Sequence, residues 1–223
     1  IKIASQQNPR DTIKAAIVVS DSAKQVEVNN KYRDFAMSTT GTKESFIVEN
    51  EKVKVSVSGK GGQIERVELK DYHRSGKKEN LVLFDQDSTR FALLINAYDR
   101  SSLFYTDEFY FKRIKQTTNS IVLRLETSIP GSYIEYSYSL KPGEYTVSSE
   151  IRFVGMQNII SQTEDQLQLH WSMLYPGQEK YIVKEKEAAT IYFKHDINDP
   201  DYINPVKDEE KELNEADIKW ICF

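Results

Sequence analysis

At 223 residues the chain is long enough for one large β domain with a short appendage, or for two small domains. Its formal charge of −4 is small and spread out, which argues against a nucleic-acid partner, and its one cysteine, Cys222, excludes an internal disulfide. No apolar run approaches the ~20 residues of a membrane span, and no signal peptide is visible. A chain that starts at Ile1 and stops inside an apolar run, Ile221-Cys222-Phe223, reads as a soluble domain cut from a longer protein.

Residues 1–45 differ from the rest. Ile1 to Asp11 is polar and expected to be disordered. Ala15 to Ala36 tolerates a helix, with Ile17-Val18-Val19 at its front and Tyr32, Phe35 and Ala36 at its back. Asp21 is placed to cap a helix running to about Met37, and Gly41 with its Ser/Thr neighbours reads as a linker. The segment as a whole reads as a tether, partly helical or disordered, leading into the domain at 46–223.

From Phe46 to about Phe193 the pattern is strand-like. Val53, Val55 and Val57 alternate with Lys52, Lys54 and Ser56, the period of a half-buried strand. Gly59, Gly61 and Gly62 break the run, and Val67, Leu69 and Asp71 resume an odd-numbered alternation. Ile64 sits out of phase, which predicts a bulge or twist change near Glu65–Arg66. A short apolar run from Leu81 to Phe84 and another from Phe91 to Ala97 follow, with a turn at Asp99 to Ser102. Phe109, Phe111 and Ile114 lead into a polar turn at Gln116–Ser120, after which Ile121, Leu123 and Leu125 alternate. Pro130-Gly131 marks a turn, and Ile134, Tyr136, Tyr138 and Leu140 line one face. Lys141-Pro142-Gly143-Glu144 turns the chain into Tyr145, Val147, Ser149, Ile151 and Phe153. Leu167, Leu169, Trp171 and Met173 form a further strand ended by Pro176-Gly177. An acidic stretch at about 196–217 is expected to be a solvated loop, with a short charged helix from Lys207 to Ala216. Ile218, Trp220 and Cys222 then alternate as a last strand returning apolar side chains to the core. So many short strands, separated by turns and without a helical period, predict an all-β fold with minor α: two large antiparallel sheets packed face to face.

Candidate chemistry is sparse. His73 lies in a polar gap, His195 opens the acidic stretch, and His170 falls between Leu169 and Trp171 on the face opposite that strand's core residues. None has a metal-site spacing, and each is expected at the surface or lining a cleft. Asp196 to Asp201 has a calcium-loop look but places Pro200 and Asp201 where an oxygen ligand and a glycine are needed. There is no G-x-S-x-G, and the Gly59-Lys60-Gly61-Gly62 stretch lies between strands, which makes it a β-turn and not a phosphate cradle. No cofactor or catalytic residue is indicated. The aromatic group Phe104, Tyr105, Phe109, Tyr110 and Phe111 is denser than one core face requires, and alternation sets Tyr110 opposite Phe109 and Phe111. Phe104, Tyr105, Tyr110 and His170 are therefore the candidate binding surface.

Gly61-Gly62-Gln63-Ile64, the strand from Val67 to Tyr72 and the run from Leu81 to Phe84 together resemble the opening of the periplasmic domain of the YidC membrane protein insertase family. Leu140 to Tyr145 is similar to that family's hairpin, and Ile218 to Phe223 to its last strand. The long tether and the acidic insertion look most similar to Bacteroidetes-type members. The resemblance implies a β-supersandwich with a short helical element at one end, facing the periplasm at the bacterial inner membrane. It further implies a non-catalytic accessory role in inserting and folding membrane proteins, alone or with the Sec translocon and nascent chains as partners. Supersandwich folds also occur in sugar mutarotases and carbohydrate-binding proteins, so a carbohydrate-active protein is one alternative, with His170 offered as its acid, and a peptide-binding or structural module using an exposed sheet edge is another.

Overall fold

The computed structural model describes residues 21–98, 102–161, 167–174, 176–195, 199–204 and 218–222. Among them the chain begins with helix α1 (Asp21–Tyr32), followed by β1 (Ser45–Glu49), β2 (Val53–Ser58), β3 (Ile64–His73) and β4 (Asn80–Asp85). Next come β5 (Thr89–Asn96), β6 (Leu103–Tyr105), β7 (Lys112–Gln116), β8 (Ser120–Glu126), β9 (Tyr133–Leu140) and β10 (Val147–Val154). The last elements are β11 (Gln168–Met173), α2 (Ile182–Ala188), β12 (Tyr192–His195), β13 (Asp201–Tyr202) and β14 (Ile218–Cys222).

Pairing is antiparallel throughout, in four sheets ordered β1-β2-β3-β4, β10-β9-β8-β7, β11-β5-β6 and β13-β12-β14. The alternations seen in the sequence are the buried faces. Val53, Val55 and Val57 from the first sheet, and Ile121, Leu123, Leu125, Ile134, Tyr136, Tyr138 and Leu140 from the second, are all buried. They join Leu93, Ile95 and Phe104 of the third sheet in one contiguous core. This is the all-β sandwich with minor helix that the pattern predicts. Phe193 of the fourth sheet is buried but stands outside that core.

The bulge near Glu65–Arg66 is present. Ser56 pairs with Arg66 and Val57 with Ile64, which leaves Glu65 as the extra residue and accounts for the phase of Ile64. The glycine stretch is a turn, with φ of +80° at Gly61 and +65° at Gly62, a backbone region that a Cβ disfavours. It is pinned to the core on three sides. Gly61 N–H donates to Phe109 O at 2.8 Å, Phe111 N–H to Gly59 O at 2.7 Å, and the buried Tyr138 hydroxyl to Gly62 O at 2.7 Å. Burial pushes the Tyr138 and Tyr136 phenols well above their ordinary pKa, so both stay neutral donors.

The N-terminal segment is more than a tether from Tyr32 onward. At Arg33, whose φ is +51°, α1 gives way to a 3₁₀ turn over Arg33–Ser38 that carries Phe35 into the core, where it is 1% exposed. Ser38 O then accepts from Tyr110 N–H at 2.8 Å, and Gly41 passes so close to the Tyr110 ring that a Cβ would lie 2.7 Å from Cγ.

Four expectations need correction. The 167–173 strand exists as β11, but Leu169 and Trp171 are about half exposed, because β11 is an edge strand overhanging the core. β14 is likewise a strand, yet Ile218, Trp220 and Cys222 are exposed: they pair with β12 in the separate fourth sheet and do not return to the core. Residues 182–188 form α2, where strand was expected; Lys184, Glu185, Lys186 and Glu187 favour a helix, with a Lys184–Glu187 pair at 2.7 Å. His195 is buried within β12 beside Phe193, and is not a surface group. The turn at 99–101, the expected disorder of 1–11 and the helix at 207–216 lie outside the described residues.

Candidate functional site

Strand register sorts the aromatic group. Phe104 and Phe109 meet at 5.3 Å between ring centroids, edge to face, and both close on Phe35 at 5.2 and 5.5 Å. Phe111 packs on Tyr136 at 4.9 Å. Phe104 is 1% exposed and so takes no part in a surface; it faces inward because its partner across the ladder, Ile95, is a core residue. Tyr110 is partly exposed in a neighbourhood of its own, against Gly41 and with Lys60 Nζ 5.4 Å from its ring.

Tyr105 and His170 do come together. Tyr105 pairs with Leu94 and His170 with Ala92, which sets both on the outer face of the β11-β5-β6 sheet, their rings 6.2 Å apart. Arg90, on the same face, stacks its guanidinium 4.4 Å from the Tyr105 ring. Its Nε and Nη2 donate to Asp107 at 2.6 and 3.2 Å, a fork-to-carboxylate pair that raises the pKa of Arg90. Asp107 is thereby held by Arg90. The sequence did not single out Arg90 or Asp107, because they are distant in the chain and only the register of β5 with its neighbours gathers them. Chemically the patch offers an aromatic face, a fixed cation and an imidazole.

Beside it the N-terminal helix is clasped to the body. The Glu108 carboxylate accepts from Tyr32 Oη at 2.6 Å, Lys31 Nζ at 2.8 Å and Tyr105 N–H at 2.9 Å. Partial burial pushes the Glu108 pKa up, but the hydrogen bonds from Lys31 and Tyr32 outweigh it and the net shift is downward. A carboxyl depressed in the fold stabilises it above the unfolded value of about 4.3 and loses that contribution as pH falls through its lower folded pKa. Protection of the α1 amides against hydrogen exchange, relative to their intrinsic rates, is therefore expected to fall below about pH 4, ahead of that of the β8–β9 core. A Glu108→Gln variant should show fast exchange already at neutral pH. Equal α1 protection in both proteins across that range would contradict the clasp.

A third feature lies where two sheets end. β1 and β7 are edge strands, and between them runs a groove of about 740 Å³ lined by Ile47, Glu49, Arg113, Ile114, Lys115 and Thr118. It is crossed by Glu49 N–H donating to Thr118 O at 2.7 Å and Gln116 Nε2 donating to Ile47 O at 2.8 Å. The sequence signal was slight: Lys112 to Lys115 is a strand with three cations, and nothing local says that β1 lies opposite.

The fold is an antiparallel β-sandwich domain with a helix clasped to it, an aromatic and basic patch on one sheet and a groove between two sheet edges. The chain belongs to the YidC periplasmic domain family, whose model matches residues 46–223. It is similar to proteins named Membrane protein insertase YidC, among them that of Bacteroides fragilis, 28% identical over 222 residues, which cover 99% of this chain and 35% of that protein. The Porphyromonas gingivalis protein is 30% identical over 203 residues, covering 91% of this chain and 32% of the relative. For Parabacteroides distasonis the figures are 27% over 226 residues, 100% and 35%. The chain thus spans about a third of the length of these relatives. Among solved structures, a GalM/aldose epimerase homologue from C. elegans matches with a TM-score of 0.41 and 11% identity, covering 69% of this chain and 55% of that one. At that score the likeness carries no inference about fold or activity.

Proposed function

We propose that this chain is the periplasm-facing accessory domain of an inner-membrane protein insertase. In this reading it is non-catalytic and helps membrane proteins insert and fold, alone or alongside the Sec translocon, by contacting translocon components or emerging nascent segments. The observation that carries the reading is the family match over residues 46–223, together with relatives named as insertases along nearly the whole chain. Residues 1–45 then lead from a preceding membrane span, and within the acidic stretch Asp201–Tyr202 pair with β12 as β13 where a loop was expected. The Tyr105–Arg90–His170 patch suits this role, since it is a contact surface without a free carboxylate at its centre.

Deleting the domain from the full-length protein is expected to lower insertion efficiency and weaken Sec association without abolishing insertion, and the isolated chain should insert nothing. Complete loss of insertion on deletion would contradict an accessory role. The full reading frame should encode a span before Ile1 and several apolar segments of ~20 residues after Phe223. Polarimetry on α-galactose or α-glucose tests the carbohydrate alternative: acceleration that disappears in His170→Ala would overturn the proposal.

A further inference from the structure

The strand β7 reads Lys112-Arg113-Ile114-Lys115-Gln116, and all but Gln116 are exposed. Edge strands carry lysines and bulges to avoid pairing with another chain, and that accounts for Lys112 and Lys115. It does not account for Ile114. Arg113 pairs with Leu123 and Lys115 with Val122, so Ile114 is the bulged residue, and a bulge re-aims its side chain. Ile114 is left 45% exposed on the groove, and Ile47, on the β1 side of the same groove, is also 45% exposed.

The charge around these two isoleucines is two cations, Arg113 and Lys115, against one carboxylate. Glu49, the lining carboxylate, is held by Lys70 Nζ at 2.6 Å. Arg113 is fixed over the Phe46 ring at 5.1 Å and donates to Gln116 Oε1 at 3.1 Å, which orients its guanidinium without neutralising it. Lys115 has no ion-pair partner among the described residues. The groove is therefore basic with an apolar middle, on a chain whose formal charge is −4.

We propose that the groove between β1 and β7 binds an acidic, extended peptide segment of a partner protein. An apolar side chain of that segment sits between Ile47 and Ile114, and neighbouring carboxylates meet Arg113 and Lys115. An extended chain alternates its side chains, so one apolar contact flanked by acidic ones matches the arrangement. Recognition runs through side chains and not through an added strand, because Glu49 N–H and Ile47 O are already bonded across the groove. A concavity between two edge strands suits an extended peptide. The inference is independent of the insertase reading, since it concerns what this chain binds and not what the whole protein does.

The test is fluorescence anisotropy with the 223-residue chain and a labelled strand-length peptide alternating glutamate with valine. Saturable binding is expected, weakened at least about tenfold by Ile114→Asp and by Lys115→Glu, as for the loss of a contact at an interface centre. Both positions are exposed, so circular dichroism and thermal melts should stay unchanged. Lys78→Glu, in the β3–β4 turn, should leave binding intact. Lys115→Glu should gain affinity for the same peptide with lysine in place of glutamate. Absence of saturable binding would overturn the proposal, as would equal affinity for the lysine peptide or affinity unmoved by both groove variants. Recruitment to phosphatidylglycerol vesicles without peptide binding would also overturn it, and would mark a membrane-facing patch.

Discussion

Phe35→Ala is expected to destabilise the protein by about 3–5 kcal/mol, the range for truncating a fully buried aromatic ring, and to release α1 from the body. Phe35 is the residue through which a segment that reads locally as a tether becomes part of the core. Its ring fills the space between Phe104 and Phe109, at 5.2 and 5.5 Å, while Tyr32 covers the same pair at 5.9 and 5.3 Å. Alanine would leave a cavity that the two phenylalanines cannot close, because the ladder and the Gly61–Phe109 hydrogen bond fix their backbones. Urea denaturation gives the free energy, and hydrogen exchange of α1 at neutral pH reports the release. Tyr32→Phe is the contrast: it removes one hydrogen bond to Glu108 and keeps the ring, so it should cost only about 1 kcal/mol. A Phe35→Ala loss no larger than that, with α1 still protected, would mean the segment is not held by the core.

The second large effect is at the glycine turn. Gly62→Ala should cost about 3 kcal/mol, from roughly 1–2 kcal/mol for a left-handed backbone with a Cβ and roughly 1–3 kcal/mol for overpacking. At φ +65° its Cβ would lie 3.0 Å from Phe111 Cδ1 and 3.1 Å from Tyr136 Cδ2, two rings packed at a tilt against each other in the core. Neither ring can yield without moving the other. Gly76→Ala separates the two contributions, since its φ is +72° but nothing lies within 4 Å of the added carbon. That variant should lose only the conformational part, roughly 1–2 kcal/mol. Equal losses at the two positions would show that the turn is not wedged against the core.

Much of the sandwich was legible because burial leaves a period in a strand. Ile121, Leu123 and Leu125, and the Ile134 to Leu140 face, read as core and are core, because both strands sit in the interior of a sheet with one face covered. The same alternation misled at β11 and β14. Leu169, Trp171, Ile218 and Trp220 have the period of a covered face, but these strands lie at sheet edges where no opposing layer of the described chain meets them. Period reports which side chains share a face, not whether that face is covered. The bulge at Glu65 was readable as a break in phase. The bulge at Ile114 was not, since every residue of β7 is polar or exposed and no buried face exists to break.

The candidate surface shows the same division. Alternation separated Tyr110 from Phe109 and Phe111, but it could not tell that Phe104 faces the core while Tyr105 faces out beside His170. That depends on which residue of β5 each one meets. What the amino-acid sequence by itself determined is the class of fold, the hairpins and glycine turn, and the family, because these rest on local turn chemistry and on the order of short patterns along the chain. The tertiary structure alone decided the rest: Arg90 and Asp107 brought to Tyr105, Phe35 drawn into the core, and two sheet edges set side by side to make a basic groove. Each of these joins residues far apart in sequence through strand register and sheet packing, and no short-range pattern carries that information.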